Sequence, residues 1–223
     1  MRTNGKSIQV WVVRISAQKS GHWRSVLSEA ECERAARFHM PDDQDRFTVT
    51  RGVLRTILSD YLHRPAAEIE FNANENGKPE VLEAGIRFNV SHSGDYALLA
   101  FAEDVELGVD VERIRGGRVV GDLARRILSP AEFARFDALA ERDREKTFFQ
   151  IWTLKEAVLK AMGSGLSVAP ESIEVAFHLD EPRLLSSEVG EWTVQSLSIG
   201  DDDYAAALAV MGNSRVIEVK RIE

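Results

Sequence analysis

Two short stretches of this chain put carboxylates where they could do chemistry. In Gly108-Val109-Asp110-Val111-Glu112, strand alternation sets Asp110 and Glu112 on one face and Val109 and Val111 on the other. Two carboxylates on one face repel unless protons or a cation intervene. In Trp152-Thr153-Leu154-Lys155-Glu156-Ala157-Val158-Leu159-Lys160, Glu156 lies one helical turn from both Trp152 and Lys160. A carboxylate and an ammonium thus share a face beside an apolar stripe of Phe148, Trp152, Leu159 and Met162. Gly163 and Gly165 stop the helix. Three acids from two elements suit a hard cation such as magnesium, which takes a few carboxylates together with waters and substrate phosphate oxygens. On spacing alone, a solvated strand face and a surface ion pair account for the same residues.

Other groups gain meaning only in company. His92, in Ser91-His92-Ser93-Gly94, follows a short strand in a polar stretch that could receive phosphate oxygens. Alone it reads as a structural histidine. Lys78, in Asn76-Gly77-Lys78-Pro79, is by itself a turn lysine, and Arg46 and Arg51 are helix-borne charges. Gly163-Ser164-Gly165 follows a helix, whereas a dinucleotide fingerprint follows a strand and opens one. The chain also lacks the phosphate-loop, Cys-x-x-Cys and Gly-x-Ser-x-Gly patterns.

Stepping out to the elements that must hold these residues, periodicity predicts strands at 7–16, 67–73, 87–90, 96–103 and 107–113. Ser28 with Glu31 forms a capping box opening a helix to about residue 39, and a longer helix runs from Pro41 through Tyr61. Residues 74–79 form a turn. Past Gly116-Gly117, a second capping box, Ser129 with Glu132, opens a helix, the helix of Glu156 follows, and strands are expected at 172–177, 192–199, 204–211 and 215–222.

The chain also echoes itself. Leu27-Ser28-x-Ala30-Glu31 recurs as Leu128-Ser129-x-Ala131-Glu132, an offset that carries Arg55 onto Glu156. Asp95-Tyr96-Ala97 recurs as Asp203-Tyr204-Ala205, an offset that carries Asp110 and Glu112 onto Glu218 and Lys220. Two similar halves, 1–114 and 115–223, related by a pseudo-two-fold with the site between them, are therefore expected. The fold class is α+β, with helices packed on a small, mainly antiparallel sheet in each half.

Taken together, these motifs resemble the 4′-phosphopantetheinyl transferase superfamily, in its larger single-chain form. That family pairs a G-[IV]-D-[IV]-E strand with a W-[ST]-x-K-E-[AS]-x-x-K-x-x-G-x-G-L helix, and this chain carries both. The resemblance spans about residues 27–179. It implies transfer of the 4′-phosphopantetheine group of coenzyme A to a serine of an apo acyl, peptidyl or polyketide carrier protein. It further implies magnesium on Asp110, Glu112 and Glu156, with Glu156 accepting the serine proton and Lys160 at the pyrophosphate. By the same resemblance Arg46, Arg51, Lys78, Ser91, His92 and Lys155 contact coenzyme A. Phe47 stands where some members have a threonine near the coenzyme. A non-catalytic coenzyme A-binding or carrier-docking module is the alternative.

Composition narrows the classes. The net charge is −8 and basic runs stop at two residues, so a nucleic-acid footprint is missing. No apolar run approaches the roughly 20 residues a membrane helix needs. The single Cys32 and the polar start at Met1-Arg2-Thr3-Asn4 lead to the expectation of a cytoplasmic protein. Because one chain holds both halves, a monomer is expected.

Overall fold

Each of the two capping boxes starts a short helix, and each is followed by a long one. In the computed structural model, which describes residues 7–15, 17–74, 77–81, 85–117, 119–163, 167–177, 182–186, 189–213 and 215–222, Ser28 caps α2 (Glu29–Ala36) and Ser129 caps α5 (Pro130–Asp137). In both, the Glu three residues on returns the hydrogen bond to the cap N–H. The long helices α3 (Pro41–Leu62) and α6 (Glu141–Met162) have 22 residues each and end on left-handed residues, His63 and Gly163. Two helices escape the sequence pattern, α1 (Ala17–Arg24) and α4 (Gly121–Ile127). Both are short, and α1 has no apolar stripe to read.

The strands are β1 (Ser7–Arg14), β2 (Asn72–Ala73), β3 (Pro79–Glu80), β4 (Ile86–Ser93), β5 (Tyr96–Glu103), β6 (Leu107–Arg113), β7 (Val175–Ala176), β8 (Arg183–Leu184), β9 (Trp192–Ser196), β10 (Tyr204–Met211) and β11 (Val216–Ile222). Three expectations need correction. The strand expected at 67–73 is a 3-10 turn, Ala66–Glu68, after Pro65, and only Asn72 and Ala73 pair. At 172–177 the same thing happens, with a 3-10 turn at Pro170–Ser172 ahead of a two-residue strand. Finally, Ser91, His92 and Ser93 belong to β4 rather than to a loop. They pair with Leu98, Ala97 and Tyr96, because Gly94 at φ 55° turns the chain straight back into β5.

The two larger sheets have the orders β11-β1-β5-β4 and β6-β10-β9, and β2-β3 and β7-β8 form two-stranded ladders. Among the elements wholly within the described residues, a strand, three helices, a 3-10 turn and four strands run from β1 to β5, and the same series runs from β6 to β10. The ladders make the match residue by residue. Arg14 pairs with Tyr96 as Arg113 pairs with Tyr204, and the Ile15 and Ile114 N–H groups donate to Asp95 and Asp203 carbonyls, each at 2.7 Å. β6 therefore corresponds to β1. The expected match of β6 with β11 is corrected, since β11 lies parallel on the outer edge of β1. By register, Asp110 and Glu112 correspond to Trp11 and Val13. A division of the chain at residue 114 runs after β6, the strand that opens the second unit.

A buried strut repeats too. Arg55 on α3 donates to Glu31 of the first capping box at 2.5 Å, and Lys155 on α6 donates to Glu132 of the second at 2.6 Å. Arg55 thus corresponds to Lys155, and the expected match of Arg55 with Glu156 slips by one residue. Thr56 takes that place.

Strand alternation buries both faces of the central strands β1, β5, β6 and β10. Leu99 and Phe101 face α3, and Leu98, Val10 and Ile8 face Val109, Val111 and Leu208 of the second sheet, whose far face takes α6 through Ala205, Ala207 and Ala209. Each buried leucine or phenylalanine contributes about 1.5–3 kcal/mol. Among the described residues, no helix is long and apolar enough to cross a membrane.

The helix α6 packs directly on β6 at Gly108. A Cβ at Gly108 would overlap the Ala157 carbonyl oxygen and the Ala161 amide nitrogen, both backbone atoms that cannot swing aside. We expect Gly108→Ala to cost about 1–3 kcal/mol, the range for overpacking. Urea denaturation would read this as a lowered midpoint at unchanged slope. A midpoint equal to that of the unaltered protein would mean that α6 can ride outward freely.

Candidate functional site

The two sheets meet edge to edge where β4 runs beside β6. No backbone ladder joins these strands. Instead three polar side chains of β4, alternating along it, reach the free N–H groups of β6: Asn89 Oδ1 accepts from Val109 at 2.9 Å, Ser91 Oγ from Val111 at 3.3 Å, and Ser93 Oγ from Arg113 at 3.1 Å. The same hydroxyls then donate to the acids of β6. Ser91 Oγ donates to Asp110 Oδ1 at 2.8 Å, and Ser93 Oγ to Glu112 Oε2 at 2.9 Å. Sequence reasoning missed Asn89 and Ser93; the every-second-residue spacing of Asn89, Ser91 and Ser93 was the signal available.

From the other side, α6 brings Glu156 and Lys160 down on the same edge. Lys160 Nζ stands 2.6 Å from Asp110 Oδ1 and 2.8 Å from Ser91 Oγ. Asp110 is 2% exposed, and its second oxygen, Oδ2, is buried without a hydrogen-bond partner. Burial pushes the Glu156 carboxyl up, and the negative charges of Asp110 and Glu112 push it further while Lys160 opposes them. Burial likewise raises Glu112, against the lowering effect of the Ser93 hydroxyl and with a further rise from Asp110. The Trp152 side chain also works weakly against the rise. The three acids expected to act together thus feel one another across the seam.

Their side chains are splayed, and among the described residues no three His, Cys, Asp or Glu groups converge closely enough to hold a metal as they stand. Like charges spread in this way while an ammonium holds one of them. The donor set nonetheless fits a hard divalent cation: all the ligating atoms are carboxylate oxygens, and the orphaned Asp110 Oδ2 has an unused acceptor.

Two cavities flank β4. One, of about 380 Å³, lies between Lys78, Pro79 and Val90 on one side and Trp152, Glu156 and Lys160 on the other, and is mostly apolar. The next, of about 200 Å³, shares Pro79 and Val90 with it and runs to Phe47, Arg51 and His92. A polar recess beyond His92 is lined by Arg46, Arg113 and Arg115. Lys78 reaches over the end of α6, with Nζ 3.3 Å from the Ala161 carbonyl and 3.5 Å from Glu106, and burial lowers its pKa. Arg46 donates to the Gly94 carbonyl at 3.2 Å and pairs with Asp43. Partial desolvation of the ring, followed by the Arg46 charge, lowers the His92 imidazole and favours its neutral form. Arg51 stacks over Phe71 and pairs with Glu31 at 3.4 Å.

Two expected coenzyme contacts sit differently. Ser91 is buried, and its hydroxyl already accepts from Lys160 and Val111 and donates to Asp110, which fills a hydroxyl's capacity. Lys155 is 0% exposed and points away from the cleft, donating to Glu132 and to the Ile127 and Pro170 carbonyls, each carbonyl at 3.0 Å. Consecutive positions on a helix cannot both face one partner, and Glu156 takes the cleft. Of the Gly163-Ser164-Gly165-Leu166 stop, residues 164–166 lie outside the described residues, as does Asn76 of the lysine turn.

Known proteins share this arrangement of sequence. The profile of the 4′-phosphopantetheinyl transferase superfamily matches residues 106–209, and that of the 4′-phosphopantetheinyl transferase N-terminal region matches residues 16–104. The two spans abut between β5 and β6, where the repeated unit begins again. The 4′-phosphopantetheinyl transferase HetI of Nostoc sp. is 38% identical over 192 residues, covering 84% of this chain and 80% of its own length. A putative 4′-phosphopantetheinyl transferase, slr0495, of Synechocystis sp. is 30% identical over 225 residues, 96% of this chain and 90% of its own. The Bacillus subtilis enzyme Sfp is 29% identical over 169 residues, 74% of this chain and 73% of its own.

The raised carboxyls have a consequence for stability. A carboxyl whose pKa is higher folded than unfolded binds more protons in the native state, so stability falls as pH rises from the ordinary 4.5 through the raised value. In buffer with a chelator, Glu156→Gln should therefore melt at a higher temperature than the unaltered protein at pH 7–8, with the gap closing below pH 4.5. Parallel melting curves at every pH would count against repulsion among these acids.

Proposed function

Because the chain belongs to the 4′-phosphopantetheinyl transferase superfamily, in a single-chain form like that of Sfp, we propose that it moves the 4′-phosphopantetheine group of coenzyme A onto a serine hydroxyl of an apo carrier protein, releasing adenosine 3′,5′-bisphosphate. What supports this reading is the meeting at one seam of Asp110, Glu112 and Glu156 with Lys160, in a chain 38% identical to HetI across most of both lengths.

In this reaction the serine oxygen attacks the phosphorus that bears the pantetheine arm, and the bond from that phosphorus to the adenosine bisphosphate oxygen breaks. Positioning and charge neutralisation dominate such transfers. Magnesium held by Asp110, Glu112 and Glu156 would supply charge neutralisation at the pyrophosphate. Lys160 is shared between Asp110 and the cleft and donates to the same phosphates. Glu156, with its raised pKa, accepts the serine proton directly or through a water.

Arg46, Arg51, Lys78 and His92 lie along the nucleotide end, where Phe47 offers a flat apolar wall instead of a hydroxyl. A neutral His92 can donate to a phosphate oxygen without adding charge. The apolar cavity beside Trp152 receives the pantetheine arm, and Ser91 acts through Asp110 rather than on the coenzyme. The N-terminal unit then holds the nucleotide and the C-terminal unit supplies the acids, so a monomer in the cytoplasm has a complete site.

Intact-mass analysis of an apo carrier protein incubated with this protein, coenzyme A and magnesium should show a phosphopantetheine-sized gain. Coenzyme A binding without that gain would favour a docking module. Asp110→Ala should lower turnover by about 100-fold or more at saturating magnesium, and near-normal turnover would defeat the metal assignment. Arg46→Ala should instead raise KM for coenzyme A with a smaller change in kcat. Unchanged affinity there would move the phosphates elsewhere.

A further inference from the structure

Lys155 is a fully buried charge that the transfer chemistry does not use. Its ammonium has three protons and three acceptors: Glu132 Oε2 at 2.6 Å, the Ile127 carbonyl at 3.0 Å and the Pro170 carbonyl at 3.0 Å. These acceptors come from the end of α4, from α5 and from the 3-10 turn that follows α6. Glu132 is equally committed. One oxygen caps Ser129 and takes Lys155, while the other accepts from Val175 of β7 at 2.8 Å. Burying both charges costs desolvation that a pair of apolar side chains would avoid, so the position of what the pair holds is the thing to explain.

What it holds is one wall of the apolar cavity. Val168 and Pro170 line that cavity together with Trp152, Glu156 and Lys160. Lys155 sits on the same helix as those three, one residue from Glu156, and ties the Pro170 carbonyl back to that helix. Lys155 is thus a direct polar tie between that wall and the helix of Glu156. In the first unit Arg55 does the corresponding work, holding the Ala66 and Ile69 carbonyls from α3 against Glu31. There the clasped turn faces no acids, since Trp11, Val13 and Thr56 stand at the positions of Asp110, Glu112 and Glu156.

We propose that Lys155 is a positioning residue that sets the width of the pantetheine-arm cavity, by clasping the Pro170 carbonyl to the helix that carries Glu156. This rests on the reading that the cavity takes the arm of coenzyme A. Without the clasp the wall of Val168 and Pro170 drifts from the helix, and the arm loses contacts it makes before any bond changes.

Two variants test this in the intact protein. Lys155→Met keeps the length of the side chain but removes the clasp. Its KM for coenzyme A should rise about tenfold with a smaller change in kcat, and amide exchange at Ser172 and Ile173, whose N–H groups close the 3-10 turn, should quicken. Val168→Ala thins the wall without touching the clasp. It should raise the same KM severalfold while leaving exchange at Ser172 and Ile173 unchanged, and this arm stands even if Lys155→Met fails to fold. An unchanged KM in Val168→Ala overturns the proposal. So does a folded Lys155→Met that loses kcat at constant KM, or one whose exchange at Ile173 is unchanged. Failure of the unaltered protein to modify a carrier would instead sink the functional reading itself.

Discussion

Everything at the cleft depends on how near α6 comes to the edge of β6. Only a residue without a side chain permits that approach, and Gly108 provides it beneath the Ala157 carbonyl. From there Lys160 reaches Asp110 and Ser91 together, so one ammonium joins a helix and a strand of the second unit to a strand of the first. A few tenths of an ångström matter here, since an ion pair with a shared hydroxyl is strong only at hydrogen-bond distance. The buried Lys155–Glu132 pair on the back of the same helix limits its freedom from the opposite side.

The seam is polar where most of the interior is apolar. Face to face, the sheets pack through Val10, Leu98, Val109 and Leu208, which any similar hydrophobes could replace at modest cost. Edge to edge, β4 and β6 are held by an amide and two hydroxyls that each satisfy a particular N–H group, and the hydroxyls also grip a particular carboxylate. Removing one of these would strand a buried partner, the more costly kind of loss. The corresponding strand of the first unit, β1, carries no acids at the matching positions. There Trp11 and Val13 fill the positions of the two acids, and β11 covers the strand.

Much of this was legible before any coordinates. Periods of 2 and 3.6 located β5, β6, β10 and both long helices, and the capping boxes marked α2 and α5, because in those segments burial and local hydrogen bonding agree. The acids, Lys160, Lys78, Arg46 and His92 could be named only because their motifs resemble those of a known family, since spacing alone gave each a structural reading. What the pattern hid was relational. It could not tell that Lys155, in the same motif as Glu156, faces the other way into a buried carboxylate. Nor could it show that Ser91 spends its hydroxyl inside the protein, since neither fact leaves a period in the sequence. The internal echo was real but misaligned by offset. β11 has a sequence like that of β6, while it is β1 that sits like β6, and only ladder register separates likeness from position.

The strand β11 also bears on how the chain reaches this structure. The hydrogen bond from Lys220 to Gln9 joins residues 211 positions apart, and the whole β1–β11 ladder is of that order. Closing so long a loop costs little more free energy than closing one half its length, because the entropy grows only with the logarithm. It does cost time, since contacts between distant residues slow the search. β1 can pair with β5 long before β11 arrives, so the first sheet has a working edge that stays bare until late. Val216 and Val219 leave β11 itself weakly buried. A stretch of chain far from the acids in sequence thus completes the sheet that carries β4 and its side of the cleft.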